Sequence, residues 1–288
     1  MKIIINKKKV IDTSKKPLII AEISSNHNGN KTLFLEHIKK AHKAGADLIK
    51  IQTYEPSDIV LKNIAQTHKI SSGIWKNENI WNLYKRASTP FAWHYDAFKL
   101  SKKIGATLFS TPFSNRAVNF LEQFNVPLYK IASLEITDLK LISEIAKTKK
   151  PVIISTGIAN YKEINKVIKL IKKFHSKIII LHCVSGYPTP INETNLSTIK
   201  LIKKKFKTPF VGLSDHTESI DTALGSILFG ACIIEKHFKL NKISNSLDSK
   251  FSLNQNQFQE LVKKVKIYYS MIGNPNFGIK NSEKKLIF

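Results

Sequence analysis

Residues Val211–Phe238, VGLSDHTESIDTALGSILFGACIIEKHF, decide the fold of this chain. The stretch begins with an apolar run that ends in Ser214-Asp215-His216 and continues through a segment of helical length. A second apolar run then leads into Lys236-His237. This pattern indicates two strands joined by a helical crossover. Because the carboxyl ends of parallel strands meet at one edge of a sheet, we expect His216 and His237 to lie close enough to share a ligand.

The same alternation of strand, loop and helix repeats along most of the chain. Consecutive strand–helix units rich in Ile, Val and Leu predict an α/β fold, a closed parallel (β/α)8 TIM barrel. A doubly wound sheet is the alternative, but the loop EISSNHNG (Glu22–Gly29) lacks the glycine-rich phosphate-binding pattern that such a sheet carries after its first strand. The eight predicted strands are Pro17–Glu22, Asp47–Thr53, Thr107–Thr111, Pro127–Ala132, Pro151–Thr156, Lys177–Cys183, Pro209–Ser214 and Ala231–Lys236.

Three segments make up the predicted domain organisation. Residues 1–16 predict a short N-terminal β-hairpin, residues 17–274 the catalytic barrel, and residues 275–288 a C-terminal tail. The main interruption of the barrel is the insertion Glu55–Thr89, which contains Trp75, Trp81 and Tyr84. We expect this insertion to fold over the barrel mouth, with its aromatic residues acting mainly in packing.

The composition of the chain limits the classes of partner that we expect for the protein. The net charge of +25 invites a nucleic-acid function, but only Arg86 and Arg116 are arginines among 46 basic residues. A protein that grips phosphates or base edges would be expected to use more arginine. We therefore expect no nucleic-acid partner. No apolar run is long enough for a membrane span, and no signal peptide is recognisable, so we expect no membrane partner. Cys183 and Cys232 fall in predicted strands and indicate a reduced, cytoplasmic protein.

Polar and charged residues stand at or near the carboxyl ends of nearly all the predicted strands, where (β/α)8 enzymes carry their catalytic groups. Unpaired charges buried within apolar strands cost several kcal/mol, so an ordinary core would not contain this many. The rim residues include Glu22, Lys50, Gln52, Thr111, Lys130, Ser133, Glu135, Ser185, Tyr187, Ser214, His216, Glu235 and His237.

These residue types indicate the chemistry of the rim. Two histidines with nearby carboxylates can hold a divalent metal and leave coordination positions open. Lys50 and Lys130, with the hydroxyls of Thr111, Ser133 and Ser214, suit phosphate and carboxylate groups. The residues alone therefore predict a small dianionic substrate beside a metal that polarises a carbonyl.

Two other functions remain open at this point. A lysine within a strand could form a Schiff base, as in an aldolase, and Lys130 and Lys236 are the candidates. A non-catalytic barrel that binds a ligand or nucleic acid through its basic surface is the alternative of a different class.

The chain resembles the sialic acid synthase family, the phosphoenolpyruvate-dependent synthases of nonulosonic acids. The resemblance covers residues 18–274, and the family fold is a (β/α)8 barrel. The matching phrases are IAEISSNHNGN, LIKIQTY, LFSTPF, YKIASLEI, PVIISTGIA, LHCVSGYPTP, VGLSDHT and GACIIEKHF.

The resemblance implies roles for individual positions. His216 and His237 match metal ligands for manganese or magnesium. Residues matching the phosphoenolpyruvate site are Lys50, Thr111, Lys130, Ser133, Ser185 and Ser214; sialic acid synthases have asparagine at the position of Ser185. The positions that match sugar-binding groups are Gln52, Glu135, Tyr187 and Asp248. As catalytic residues the resemblance implies Glu22, Lys130, Glu135, His237 and Asp248.

The implied reaction joins C3 of phosphoenolpyruvate to the aldehyde of an open-chain N-acetylated hexose. Water adds at C2, and phosphate leaves with cleavage of the C–O bond. The insertion and the phrase LDSKFSL after the last strand resemble the pseudaminic acid synthase branch, whose sugar is 2,4-diacetamido-2,4,6-trideoxy-L-altrose. LHCVSGYPTP is closer to the sialic or legionaminic acid type, which uses an N-acetylmannosamine-type sugar, so these remain alternatives.

Family members continue into a small antifreeze-like (SAF) domain that reaches across a dimer. The present sequence stops close to Asn281–Lys285, about where the linker to that domain begins. We therefore expect a homodimer, and we expect the antifreeze-like domain to be absent from this chain.

Overall fold

A computed structural model of the protein describes residues 1–243 and 245–286. Its strands are β1 (Lys2–Ile4), β2 (Val10–Asp12), β3 (Leu18–Glu22), β4 (Leu48–Thr53), β5 (Leu108–Pro112), β6 (Tyr129–Ile131), β7 (Val152–Ser155), β8 (Ile178–Cys183), β9 (Val211–Asp215) and β10 (Ile233–His237). Its helices are α1 (Lys31–Lys43), α2 (Pro56–Ile59), α3 (Lys62–Ala65), α4 (Ile80–Ala87), α5 (Phe91–Ile104), α6 (Asn115–Glu122), α7 (Leu139–Lys147), α8 (Tyr161–Lys172), α9 (Thr198–Phe206), α10 (Asp221–Leu228) and α11 (Gln255–Ile272).

The strands β3 to β10 form a closed parallel barrel in which β10 returns to pair with β3. Strands β1 and β2 form a separate antiparallel pair ahead of it. The predicted (β/α)8 barrel and N-terminal hairpin are confirmed. The predicted ends of the eight barrel strands differ from the observed ends by no more than two residues.

Two apolar layers hold the barrel together. The outer layer lies between the strands and the surrounding helices, and the inner layer fills the barrel below its mouth. The hairpin contributes Ile3, Ile5 and Ile11 to the inner layer and so closes the amino-terminal end. The residues of the inner layer that lie in or directly before the barrel strands include Ile20, Leu48, Phe109, Leu128, Ile153, Ile179, Leu181 and Ile233.

Alternation along the strands then decides which polar groups reach the mouth, because successive side chains of a strand point to opposite faces. In β10, Glu235 and His237 continue the inward series of Ile233, and Lys236 points outward. Strand β9 approaches β10 closely at Gly212, where an added Cβ would overlap the carbonyl oxygen of Ile233. The two histidine-bearing strands therefore lie side by side with their inward faces in register.

The insertion Glu55–Thr89 contains three short helices, α2, α3 and α4, and a loop between α3 and α4. The indole Nε1 of Trp75 at the tip of that loop donates a hydrogen bond to the carbonyl oxygen of Leu247 (3.0 Å), which follows β10. The ring of Trp75 also lies 5.7 Å from that of Tyr187. The insertion therefore covers part of the barrel mouth, as expected from the sequence. In the described part of the chain, no helix combines the length and apolarity needed to cross a membrane.

Candidate active site

A cavity of about 340 Å³ opens at the carboxyl end of the barrel. A larger groove of about 710 Å³ lies on the outside of the barrel between α7 and α8, and it contains none of the predicted site residues. Glu22, Thr111 and Ser185 do not line the mouth cavity themselves. The predicted residues that do line it are Lys50, Gln52, Lys130, Ser133, Glu135, Tyr187, Ser214, His216, His237 and Asp248.

The floor of the cavity is built around the carboxylate of Glu235. Its Oε1 lies 3.1 Å from the Nζ of Lys50 and 3.4 Å from the Nζ of Lys130, and it accepts a hydrogen bond of 3.0 Å from the hydroxyl of Ser214. Lys50 also lies 3.0 Å from Oε2 of Glu22 and 3.4 Å from the hydroxyl of Thr111. Glu22 and Thr111 therefore act on the cavity through Lys50.

Burial and charge shift the pKa values of these groups in opposite directions. Burial alone would raise the pKa of Glu235, but Lys130 and Lys50 hold it well below its usual value. Burial raises the pKa of Glu22 by more than Lys50 lowers it. Burial lowers the pKa of Lys130, whereas the two carboxylates beside Lys50 outweigh its burial and raise its pKa. With Glu235 ionised and Lys50 and Lys130 both charged, a proton on Glu22 leaves the floor one net positive charge, which an anion can balance.

The histidine pair lies on the adjacent wall. The rings of His216 and His237 have centroids 5.4 Å apart. Nδ1 of His216 lies 2.9 Å from the carbonyl oxygen of Val184, which can only accept, so this nitrogen carries a proton and Nε2 is the nitrogen that offers a lone pair when the ring is neutral. Burial would lower the pKa of His216, but Cys183 and the carbonyl of Val184 outweigh it and raise the pKa. Nδ1 of His237 is buried without a hydrogen-bond partner among the described residues, and Oδ2 of Asp248 lies 3.9 Å from it. Burial and the neighbouring His216 hold the pKa of His237 well below its ordinary value.

This donor set fits an open divalent metal site. Metal ligands must be deprotonated, and both histidines have a nitrogen available. The carbonyl that fixes the tautomer of His216 is the kind of outer contact that orients ligating histidines. Among residues 1–243 and 245–286, no group of three or more His, Cys, Asp and Glu is gathered for a metal. Two histidines would therefore leave most coordination positions to water and substrate, which suits a catalytic rather than a structural metal.

Glu135 and Asp248 lie on the rim of the same cavity. Burial raises the pKa of Glu135 to about 7, and its Oε2 is buried without a partner in the described structure. Asp248 accepts a hydrogen bond of 3.2 Å from the amide of Ser25, which ties the loop after β10 to the loop after β3. Gln52 donates to Oε1 of Glu22 (3.3 Å) and to the hydroxyl of Ser24 (3.0 Å).

The structure adds Glu235 and Cys183 to the predicted site. Glu235 was noted at the rim, but its central place on the floor was not foreseen, although its spacing of two from His237 indicates the same face. Cys183, expected to be a core residue, lines the cavity with its Sγ 3.4 Å from the hydroxyl of Ser133 and 4.0 Å from Nδ1 of His216. Burial would raise the pKa of its thiol, but His216 and Ser133 lower it to about 7.

Lys236 does not reach the cavity, and its proposed role as a Schiff-base lysine is wrong. Its Nζ is buried on the outer face of the barrel, 2.9 Å from Oδ2 of Asp215 and 2.5 Å from the carbonyl oxygen of Thr217. Lys130 does line the cavity, so the Schiff-base alternative reduces to that residue.

Ser185 lies beside the cavity. Its hydroxyl is 4.0 Å from the Sγ of Cys183. A Cβ at Gly157 would overlap the hydroxyls of both Ser185 and Ser133, so this glycine leaves room for the two serines. Ser185 thus adjoins Cys183 and Ser133, which line the cavity, without lining it itself.

Most of the chain matches one known protein family. The model of the NeuB family matches residues 37–276. The chain belongs to the NeuB family. It is 42% identical over 264 residues to the pseudaminic acid synthase of Campylobacter jejuni subsp. jejuni serotype O:2, covering 91% of this chain and 77% of that protein. It is 34% identical over 273 residues to the N,N'-diacetyllegionaminic acid synthase of the same organism, covering 94% of this chain and 80% of that protein.

A solved NeuB-type structure has the same fold. The N-acetylneuraminic acid synthetase of Leptospira borgpetersenii serovar Hardjo-bovis, crystallised with citrate, matches with a TM-score of 0.88 and 30% sequence identity. The match covers 99% of this chain and 95% of that chain. The resemblance to sialic acid synthases inferred from the sequence phrases is therefore confirmed at the level of family and fold.

Proposed function

We propose that this protein is a nonulosonic acid synthase that makes pseudaminic acid. It joins phosphoenolpyruvate to open-chain 2,4-diacetamido-2,4,6-trideoxy-L-altrose. A new C–C bond forms between C3 of phosphoenolpyruvate and the aldehyde carbon, whose oxygen takes up a proton. Water adds at C2, and the C2–O bond to phosphate breaks, so that one sugar acid and one inorganic phosphate are released.

One arrangement carries this proposal. Lys50 and Lys130 converge on one oxygen of Glu235, on the floor of the same cavity whose wall holds the pair His216 and His237. Two lysine ammonium groups and nearby hydroxyls suit a substrate with both phosphate and carboxylate groups. A histidine pair with free nitrogens could hold a divalent metal, which suits the aldehyde that phosphoenolpyruvate must attack.

The floor residues would bind phosphoenolpyruvate and offset its charge. Lys50 and Lys130 are fixed by their contacts with Glu235, so they need little reorganisation when negative charge moves onto the leaving phosphate. The hydroxyls of Ser133 and Ser214 supply neutral donors at the same level of the barrel. Thr111 and Glu22 orient Lys50, and Ser185 supports the loop after β8.

The rim residues would bind the sugar and move protons. Glu135, whose pKa is raised to about 7 by burial, can both hold and release a proton at neutral pH. Asp248 and Gln52 present hydrogen-bonding groups to sugar hydroxyls or amides. Tyr187 packs its ring 4.4 Å from that of His216 and closes one side of the cavity.

His216 and His237 would hold a divalent cation, Mn²⁺ or Mg²⁺. When bound, such a cation polarises the aldehyde carbonyl and lowers the pKa of water. The buried Nδ1 of His237, which has no hydrogen-bond partner among the described residues, is the observation that supports this assignment. Asp248, 3.9 Å from that nitrogen, would orient His237 and balance the added charge.

Pseudaminic acid is favoured as the product over legionaminic or N-acetylneuraminic acid. The support is the difference in identity, 42% against 34%, to two synthases of the same organism. The discriminating experiment is a phosphate-release assay with phosphoenolpyruvate and Mn²⁺. The trideoxy-altrose and N-acetylmannosamine are compared side by side. We expect release with the first sugar to exceed release with the second, and equal release would contradict this choice of product.

A Schiff-base reaction at Lys130 is the second candidate function, because the pKa of this lysine is lowered. The same assay separates the two chemistries. A Schiff-base enzyme should keep its activity in EDTA and should be trapped on Lys130 by borohydride. The proposed synthase should lose its activity in EDTA and give no trapped adduct.

We also propose that the protein is a cytoplasmic homodimer. Both cysteines are free and buried, which suits a reducing compartment, and phosphoenolpyruvate is made in the cytoplasm. On α11, Ile267 and Met271 are 44% and 65% exposed, and a second copy could cover them. Light scattering of the purified protein would measure the mass, and a monomer at micromolar concentration would contradict the dimer.

A further inference from the structure

One side of the active-site cavity is apolar and comes from the insertion Glu55–Thr89. The insertion is rich in lysine and asparagine, yet none of the side chains that it turns toward the cavity is charged. We call this set the insertion wall. Its main members are Ile59, Ile70, Trp75, Ile80, Leu83 and Tyr84.

The insertion wall is held in place at both ends. Trp75 is tied to the carbonyl oxygen of Leu247, next to Asp248. At the other end, the ring of Tyr84 lies 6.2 Å from that of Tyr54, which in turn lies 5.0 Å from the ring of Phe113. The loop that carries Trp75 is closed by backbone hydrogen bonds, in which the amide of Ile70 donates to the carbonyl oxygen of Glu78 (3.0 Å). The wall is thus a fixed surface of the cavity.

Ile70 and Ile80 lie on the two sides of this loop, where the amide of Ile80 donates to the carbonyl oxygen of His68 (3.2 Å). Both side chains are half-buried and line the cavity. An aliphatic side chain has no hydrogen bond to offer, so its contribution is to bury apolar surface of whatever occupies the cavity.

The position of the wall decides which part of a sugar it meets. The aldehyde end must lie beside the histidine pair and the lysine floor, because the new bond forms there. The far end of the sugar and its 4-acetamido group then extend toward the mouth, where the insertion wall lies. A hydroxyl buried there without a partner costs free energy, whereas a methyl group gains it.

We infer that Ile70 and Ile80 are specificity-determining residues that select a sugar with methyl groups at its far end. They would contact the 6-methyl group and the methyl of the 4-acetamido group, and they would disfavour a sugar with hydroxyls at those carbons. This inference rests on the proposed function, because it assumes that the aldehyde end faces the histidines.

The test replaces each isoleucine by threonine, which exchanges the ethyl branch for a smaller, polar hydroxyl. The variants are Ile70→Thr and Ile80→Thr, with Ile64→Thr as the matched control. Ile64 is an isoleucine of the same insertion that is 54% exposed and does not line the cavity. Ile70→Leu and Ile80→Leu test rescue by an apolar side chain. Thermal unfolding checks that each variant is folded.

Two readouts are measured. The first is kcat and KM from phosphate release with the trideoxy-altrose and with N-acetylmannosamine. The second is saturation-transfer NMR of the sugar methyl signals with protein and Mg²⁺ but no phosphoenolpyruvate. We expect each threonine variant to raise KM for the trideoxy sugar about tenfold. The reason is that the free energy lost by burying a polar group without a partner corresponds to a change in affinity of about this size. We expect kcat and the KM for phosphoenolpyruvate to change little, and the leucine variants to resemble the native protein.

The outcomes separate this inference from the proposed function. If phosphate is released but the preference between the sugars is the same in the threonine variants, the inference is wrong and the synthase function stands. If no phosphate is released with either sugar but the methyl signals respond and weaken in the variants, the synthase function is wrong and the wall still binds methyl groups. If there is neither release nor response, both are overturned.

Discussion

Lys236 and Asp215 form an ion pair of 2.9 Å, fully buried on the outer face of the barrel, between the two strands that carry the histidine pair. Asp215 immediately precedes His216, and Lys236 immediately precedes His237. Lys236 also donates to the carbonyl oxygen of Thr217 (2.5 Å). The pair therefore links β9 to the loop after it and to β10, directly behind the two imidazoles.

Lys236→Met is expected to destabilise the protein strongly, because it leaves the carboxylate of Asp215 buried without its partner. Breaking a buried ion pair from one side costs about 3–5 kcal/mol. Chemical denaturation would measure the change in the free energy of unfolding. The double variant Asp215→Leu with Lys236→Met should recover much of the loss. A loss in the single variant below about 1 kcal/mol would contradict a structural role for the pair.

Lys130→Met is expected to reduce activity about 100-fold or more, because it removes one of the two cations that are proposed to face the leaving phosphate. Glu235 would still be held by Lys50 and Ser214, so the fold should survive. Steady-state kinetics with varied phosphoenolpyruvate would measure the loss. The control is Lys150→Met, whose lysine pairs with Glu122 on the surface. Equal effects of the two variants would count against a lysine floor for phosphoenolpyruvate.

His237→Ala is expected to abolish divalent metal binding and to reduce activity to background, since it removes half of the protein's donor set. Electron paramagnetic resonance of added Mn²⁺ measures binding independently of turnover. EDTA should inactivate the native protein, and Mn²⁺ or Mg²⁺ should restore it. His68→Ala, at an exposed histidine of the insertion, is the control. Native-like Mn²⁺ affinity in His237→Ala would remove the metal assignment.

Glu135 makes the stability of the fold depend on pH. Burial raises the pKa of its carboxyl from 4.5 to about 7, so the folded protein holds a proton that the unfolded chain has released in this range. Its contribution to stability is therefore fully present below about pH 4.5 and is lost as the pH rises to about 7. One pKa unit corresponds to about 1.4 kcal/mol, which gives a loss of about 3 kcal/mol across the window.

The variant Glu135→Gln isolates this effect, because glutamine cannot titrate. The difference in unfolding free energy between the native protein and the variant should change with pH between 4.5 and about 7 and stay constant above it. Denaturation at matched pH values would measure the difference. A constant difference throughout the window would show that the pKa of Glu135 is not raised.

The barrel could be predicted from the sequence because most of the strands begin with a run of apolar residues, and a helix-length segment separates each from the next. The histidine pair followed from the same reasoning, since His237 ends β10 and His216 directly follows β9. Side-chain direction was harder to predict. Lys236 and Glu235 are neighbours in one strand, yet Lys236 faces the helix layer and Glu235 faces the cavity. Which of them faces inward follows from the inward position of residues such as Ile233. That position is defined only in the closed barrel.

Long-range contacts could not be predicted from local patterns. The hydrogen bond from Trp75 to Leu247 joins residues that are 172 positions apart, and it decides which face of the insertion meets the cavity. The sequence predicts Cys183 to be an ordinary core residue. Its contact with the hydroxyl of Ser133 could not be predicted, because it depends on how β6 and β8 approach each other. Such contacts depend on how the barrel closes.

The place of Glu235 has a consequence for how tightly the protein can hold its anionic substrate. An empty cavity with two buried ammonium groups would be costly, and this carboxylate supplies the missing negative charge from within the chain. In the proposed reaction, phosphoenolpyruvate would therefore compete for Lys50 and Lys130 with a carboxylate that belongs to the chain itself. This competition would weaken the binding of substrate and of released phosphate alike, and it would thereby favour turnover.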